Sequence, residues 1–257
     1  MDLGLSGRTA LVCSSTQGIG EAIASALAAE GAHTVVSGRR GGRAKDIAAR
    51  LPRAVGVEAD LLSPQGPEEL FQATVDAFGP PDVLVLNGPG PRPGQATDVT
   101  VADADSALEA TVRPHIRLVS LALPAMRARG WGRVLAVGSS GIAAPLANLA
   151  LSNLGRAALA GYLKTLAAEV AADGVTVNLL LPGRIATERT AAVDTANAGR
   201  THRTVAEVER ESVAAIPAGR YGHVSEFAAT AAFLCSAPAS YVTGVALRCD
   251  GGLVRSL

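Results

Sequence analysis

The chain is poor in aromatic residues: four Phe, three Tyr and one Trp make up 3% of its 257 residues, while hydrophobic residues reach 48%. A core with so few rings must be built from Ala, Val, Leu and Ile, the composition of parallel strands sheathed by helices. Cysteine is scarce too. Cys13, Cys235 and Cys249 show no metal-ligand spacing and leave an odd one over, which argues against a disulfide framework and against a metal centre. Their apolar surroundings mark them as small core residues rather than nucleophiles. Charge of one sign is also lacking: 23 basic and 23 acidic residues cancel. The densest basic cluster, Arg39-Arg40 with Arg43 and Lys45, is too short to track a phosphate backbone, so no nucleic acid is expected as a partner. No apolar run approaches the roughly 18 residues that span a bilayer, and no basic segment precedes an apolar one at the N-terminus. A soluble, cytoplasmic protein with no membrane partner is expected.

What is present begins at residues 8–31. Thr9 to Cys13 form a short apolar run of the kind that becomes a buried parallel strand, and Ser14 to Gly20 hold nothing bulky except Gln17 and Ile19. A helix follows with an apolar stripe through Ile23 and Leu27, and Gly31 stands where it would stop in the left-handed conformation. A strand feeding a helix through a glycine turn gathers free backbone N–H groups and the positive end of the helix dipole at one point, which suits a phosphate.

Further strands are expected at His33 to Ser37, Val55 to Ala59, Asp82 to Leu86, Arg133 to Val137, Val175 to Leu180 and Gly244 to Arg248. Between them the pattern predicts helices over Arg43 to Leu51, Pro67 to Phe78, Asn153 to Ala172 and Ser225 to Leu234. A long helix spans Ala102 to Arg129, with Pro114 and Pro124 as kinks or breaks. The polar stretch Ala186 to Ser212 carries Thr, Arg and Glu in helical rhythm. No linker and no repeat divides the series. Strands alternating with helices in this way predict one domain over residues 1–257, a Rossmann-type doubly wound parallel sheet in a three-layer α/β/α arrangement. Ligands of such folds lie beyond the carboxyl ends of the strands.

The residues at those strand ends carry a family likeness. Gly18 and Gly20, with Ser14 four residues before Gly18, resemble the Gly-x-x-x-Gly-x-Gly turn of the short-chain dehydrogenase/reductase family. Asp60, Asn87-Gly88-Pro89-Gly90, Gly138-Ser139, Pro182-Gly183-x-Ile185-x-Thr187, Pro217-x-Gly-Arg220, Thr243-Gly244 and Asp250-Gly251-Gly252 then follow the family's motifs in order over essentially the whole chain. Within the family the chain looks most like the 3-oxoacyl carrier-protein reductases. A serine in place of the first glycine should accept a slightly wider turn or bond a backbone group or the ribose. The resemblance implies a dinucleotide held by Ser14, Thr16, Gln17, Gly18, Ile19 and Gly20 in the first turn. Ser37, Arg39 and Arg40 would hold it after the second strand, Asp60 and Leu61 after the third, and Asn87 and Gly88 after the fourth. Arg156, Pro182, Gly183, Ile185 and Thr187 complete the set. At the second strand no carboxylate stands ready for a ribose 2′-hydroxyl, whereas Arg39 offers a planar fork for a 2′-phosphate with Ser37 as helper. NADP(H) is therefore the expected cofactor.

The likeness breaks at the family's catalytic residues. Ser139 fits the serine that binds the substrate carbonyl. Thirteen residues on, where the family has its tyrosine acid, stands Ser152; four further, in place of the lysine, stands Arg156; Thr111 takes the place of the relay asparagine. An aliphatic hydroxyl is a far poorer proton donor than a phenol, and a guanidinium is too basic to pass a proton at neutral pH. Three readings stay open: a reductase of a carbonyl or imine with a modified Ser/Ser/Arg site, a nucleotide-binding partner or sensor subunit of weak activity, or a dehydration or cyclisation on the same scaffold. His115, four residues after Thr111 on the same helix face, is either a replacement acid or a packing residue. Tyr162, about three turns past Ser152, reads as core or interface. Residues 186–216 correspond to the family's substrate lid. Arg189, Arg200, His202 and Arg203 there suit an acidic or phosphopantetheine-linked substrate or else form a solvated face. A small-molecule or carrier-linked substrate and a homodimer or homotetramer through alanine-rich helix surfaces are expected.

Overall fold

The computed structural model describes residues 1–255. Its seven strands are β1 (Thr9–Val12), β2 (His33–Gly38), β3 (Ala54–Glu58), β4 (Val83–Leu86), β5 (Gly132–Val137), β6 (Val175–Pro182) and β7 (Ala246–Cys249). All pair in parallel in one sheet of order β3-β2-β1-β4-β5-β6-β7. The apolar runs are buried on both faces, as parallel strands require. Leu11, Val35, Leu84, Val134 and Leu179 point to one side, while Val12, Val36, Val85, Leu135 and Leu180 point to the other.

Helices α1 (Gly18–Ala29), α2 (Gly41–Ala48) and α9 (Val224–Leu234) cover the second of these faces through Ile23, Leu27, Ile47 and Phe227. Helices α3 (Gly66–Phe78), α5 (Arg113–Ala128) and α6 (Ala150–Val170) cover the first through Leu70, Leu118, Met126 and Leu163. The result is the expected doubly wound α/β/α sandwich. Because β2 and β3 lie on one side of β1 and β4 on the other, the crossovers part between β1 and β4. That parting is the topological switch point, where a crevice opens.

The helix expected over Ala102 to Arg129 is two helices, α4 (Val101–Thr111) and α5, divided at Val112. Pro114 explains the break, since it has no N–H to offer the preceding turn, whereas Pro124 is carried inside α5. The polar stretch after β6 also forms two helices, α7 (Glu188–Thr201) and α8 (Val205–Ala214), each begun by a threonine whose side chain accepts from the first turn. Helix α6 starts at Ala150, before the expected Asn153, and β7 starts two residues after Gly244. No helix among the described residues is long and apolar enough to cross a membrane.

Candidate active site

The turn after β1 is shaped by two residues with positive φ, Ser14 at 46° and Gly18 at 56°. Ser14 therefore fills the first glycine's place by adopting a glycine-like backbone. Asn87, just after β4, donates its side-chain amide to the Ser14 carbonyl oxygen at 3.0 Å. Gly20 is wedged behind this bond, and a Cβ there would lie 2.5 Å from the Ser14 oxygen and 2.8 Å from Asn87 Nδ2. Helix α1 has Gln17 at its N-cap with no side-chain cap bond. Its first-turn N–H groups thus stay available for an anion.

Ser15, which sequence reasoning passed over, staples the turn to the neighbouring strand. Its hydroxyl donates to the Val12 carbonyl at 2.7 Å and accepts from the Ser37 N–H at 2.9 Å. Ser37 itself donates to the same Val12 carbonyl and is 1% exposed. Ser37 therefore does not line the cavity as expected: its hydroxyl serves the β1–β2 junction. Arg40 and Arg43 are also committed. Arg40 donates to the Thr16 carbonyl at 3.1 Å and to Gln17 Oε1, and Arg43 donates to the same Thr16 carbonyl and pairs with Glu21. Arg39 is exposed at the cavity edge and makes no hydrogen bond or ion pair among the described residues.

One cavity of about 680 Å³ runs over the carboxyl ends of the strands. Ser14, Thr16, Gln17, Gly18, Ile19 and Gly20 form its floor at the α1 end, beside Arg39, Arg40, Asp60 and Leu61. Asn87 and Gly88 line its middle. At the far end, after β5 and on α6, are Ser139, Ser152 and Arg156; Pro182, Gly183 and Ile185 after β6 also line the cavity, and Thr187 returns to the α1 end, its Cγ2 3.4 Å from where a Cβ on Gly18 would be. Ser140, Leu146, Leu149, Glu188 and Val193 also line it and were not singled out from the sequence. They come from the loop after β5 and from α7, where no motif marks them.

Arg156 is buried on α6. It donates from Nη1 to the Val137 carbonyl at 2.5 Å and from Nη2 to the Gly88 carbonyl at 3.5 Å. Burial, followed by the nearby Arg189 charge, pulls its pKa down to about 10, so it stays a cation at neutral pH. Thr111 is not in the cavity. Its hydroxyl donates to the Ala107 carbonyl at 2.7 Å, and it packs against Gly155, where a Cβ would lie 2.0 Å from Thr111 Oγ1. The threonine is closed off between α4 and α6, so it has no hydroxyl free for the relay expected of it. His115 lies behind the cavity wall: a Cβ on Gly88 would be 3.6 Å from its ring. Its Nδ1 is 2.9 Å from the Thr111 carbonyl oxygen and Nε2 is 3.4 Å from that of Asn87. Burial pushes its pKa down to about 4, against the pull of the Thr111 contact. A neutral imidazole is a packing residue here, not an acid. None of the three tyrosines lines the cavity: Tyr162 packs against the core, Tyr221 donates to Asp194 and Tyr241 is fully exposed.

Helix α7 is moored over the cavity by Asp194, which is completely buried. Its carboxylate takes Arg184 Nη1 at 2.5 Å and the Tyr221 hydroxyl at 2.8 Å. Of the four cationic or titratable residues expected on the lid, only Arg189 lines the cavity. His202 caps α7 in the left-handed conformation, and Arg203 pairs with Glu211 on α8.

Known proteins resemble the chain over nearly its whole length. Residues 13–254 match the family model described as enoyl-(acyl carrier protein) reductase. The chain is 31% identical to the 3-oxoacyl-[acyl-carrier-protein] reductase FabG of Aquifex aeolicus over 98% of its own length and 100% of that protein. It is 34% identical to dehydrogenase/reductase SDR family member 4 of Sus scrofa over 98% of this chain and 89% of the other. Among solved structures, L-sorbose reductase from Gluconobacter frateurii, complexed with NADPH and L-sorbose, superimposes with a TM-score of 0.93 at 31% identity, covering 100% of both chains. With the motif residues after β1, β3, β4, β5 and β6 lining one cavity and relatives aligned over nearly its whole length, the chain belongs to the short-chain dehydrogenase/reductase family of oxidoreductases.

Proposed function

We propose that the protein is an NADP(H)-dependent reductase of a carbonyl or imine, acting through a Ser139/Ser152/Arg156 site in place of the family's serine, tyrosine and lysine. The observation that carries this reading is that all three residues line the same cavity as the turn after β1. The residues present suit a dinucleotide. The α1 N-terminus is uncapped, Gly20 leaves no room for a side chain, and Arg39 is uncommitted beside the turn. The solved NADPH complex of L-sorbose reductase supports the same cofactor.

The bound dinucleotide supplies the hydride. The hydroxyls of Ser139 and Ser152 donate hydrogen bonds to the acceptor's oxygen or nitrogen. The buried Arg156 charge keeps this end of the cavity electropositive, which favours the negative charge that develops on a carbonyl oxygen at the serines as hydride arrives at carbon. Neither serine nor arginine gives up a proton readily, and His115 is neutral and walled off. The alcohol proton therefore comes from water entering the cavity, or the acceptor is an iminium that already carries it. Loss of a positioned acid costs about 10²–10⁴-fold in rate for a ketone, so imines should outpace ketones. Residues 186–216 act as the substrate lid of a single cytoplasmic domain. Homodimers or homotetramers form through α4, α5 and α6, where Leu154 is exposed.

The test is titration with NADPH and NADH followed by panels of ketones and cyclic imines, reading nicotinamide absorbance. Tight NADPH binding with faster imine turnover supports the proposal. Binding without any turnover would instead favour a nucleotide-binding partner subunit, and failure to bind either dinucleotide rejects the proposal outright.

A further inference from the structure

Arg156 is a buried cation without an anion. The residue is 8% exposed, it makes no ion pair among the described residues, and its two hydrogen bonds are to neutral carbonyls. A guanidinium has five N–H donors, and a buried charge left uncompensated is costly. A second guanidinium faces the same stretch of chain. Arg156 Nη2 reaches the Gly88 carbonyl, and Arg189 Nη2 lies 3.3 Å from where a Cβ on Gly90 would be. The two cations therefore stand over one short loop after β4, one from α6 beneath the cavity and one from the lid helix α7. Their mutual repulsion contributes to the lowered Arg156 pKa.

No carboxylate of the cavity answers them. Asp60 lies at the α1 end, where it accepts from the Leu62 N–H, and Glu188 forms no ion pair with either arginine. The dinucleotide's phosphates belong at that same α1 end, with its uncapped N–H groups and Arg39. An anion is thus wanted at the far end of the cavity, beside Ser139 and Ser152.

Resting on the reductase reading above, we propose that the substrate is an oxo or imino acid whose carboxylate is clamped between Arg156 and Arg189 while its reacting carbon lies at the two serines. A planar carboxylate matches the guanidinium fork, and Leu146, Leu149 and Val193 line the same cavity with apolar side chains. Because Arg189 rides on α7, seating the carboxylate also draws the lid onto the site.

The experiment is calorimetric titration of the NADP⁺-saturated protein, which cannot reduce its ligand, with pyruvate and levulinate and with their methyl esters. Each acid should bind about tenfold or more tightly than its ester, as expected for a charge-assisted pair. R189Q should abolish that preference, with the ester as the internal reference. R156K, which keeps the charge but loses the fork, should reduce it. Equal binding of acids and esters, inorganic phosphate competing as well as the acids, or an undiminished preference in R189Q overturns the clamp. NADP⁺ binding without a preference for acids overturns this inference alone. Absence of NADP⁺ binding overturns the reductase reading with it.

Discussion

The side-chain amide of Asn87 donates to the carbonyl oxygen of Ser14 across 73 residues of chain, closing the crevice floor between the ends of β4 and β1. Ser14 presents that oxygen by holding φ at 46°, a conformation that costs a residue with a Cβ roughly 1–2 kcal/mol. Ser14→Gly should therefore stabilise the protein by about 1 kcal/mol in urea unfolding. Gly20→Ala should do the reverse, costing about 1–3 kcal/mol, because its Cβ meets both partners of the bond. An unchanged denaturation midpoint in both variants would show that the turn is not strained in this way.

Arg39 lines the cavity beside the turn after β1 and makes no hydrogen bond or ion pair among the described residues, whereas its neighbours Arg40 and Arg43 are tied to Thr16. Arg39→Ala should lower NADPH affinity about 10- to 100-fold, the worth of charge-assisted bonds to a phosphate, and leave NADH affinity alone. Fluorescence titration of both dinucleotides measures this. Equal losses for the two would place Arg39 elsewhere than at the 2′-phosphate.

Ser152 and Arg156 stand at the positions where a phenol and an ammonium would complete a proton donor. The double variant Ser152→Tyr with Arg156→Lys should raise ketone reduction by about 10²–10⁴-fold and imine reduction much less. Steady-state rates on matched ketone and imine substrates give the ratio. If ketones gain no more than imines, proton delivery is not what the native site lacks.

His115 gives stability a pH dependence. Its ordinary pKa of 6.5 falls to about 4 on burial, so the unfolded chain binds the proton more readily than the folded one. Stability is full above the unfolded value and is lost as pH falls from there toward 4. The loss should be about 2 kcal/mol between neutral pH and about pH 5. Asp103 and Glu226, whose carboxyls are held down to about 2 chiefly by Arg92 and Arg220, lose their contribution only below the ordinary carboxylate range. His115→Gln should therefore flatten the unfolding free energy between neutral pH and pH 5. A slope that survives the substitution would have another origin.

Much of the fold was legible because its signals are local. Apolar runs such as Val83 to Leu86, bounded by turn residues, favour buried strands, the glycines and serines between Ser14 and Gly20 favour a tight turn into a helix, and Pro114 cannot donate to the preceding helical turn. The sequence by itself therefore determined the order of strands and helices, the phosphate-ready turn, and the strand-end residues that meet in one cavity. What the tertiary structure decided was how each polar group is used, since that depends on partners far away in the chain. Ser37 and Thr111 both read as site hydroxyls, yet each is consumed by a carbonyl, of Val12 and of Ala107. Arg189 reads no differently from Arg200 and Arg203, yet only it faces the cavity, because Asp194 anchors α7 through Arg184 and Tyr221. A residue's chemistry is written in the sequence. Whether a proton, a charge or a lone pair remains free for a ligand is fixed only when the fold has satisfied the rest.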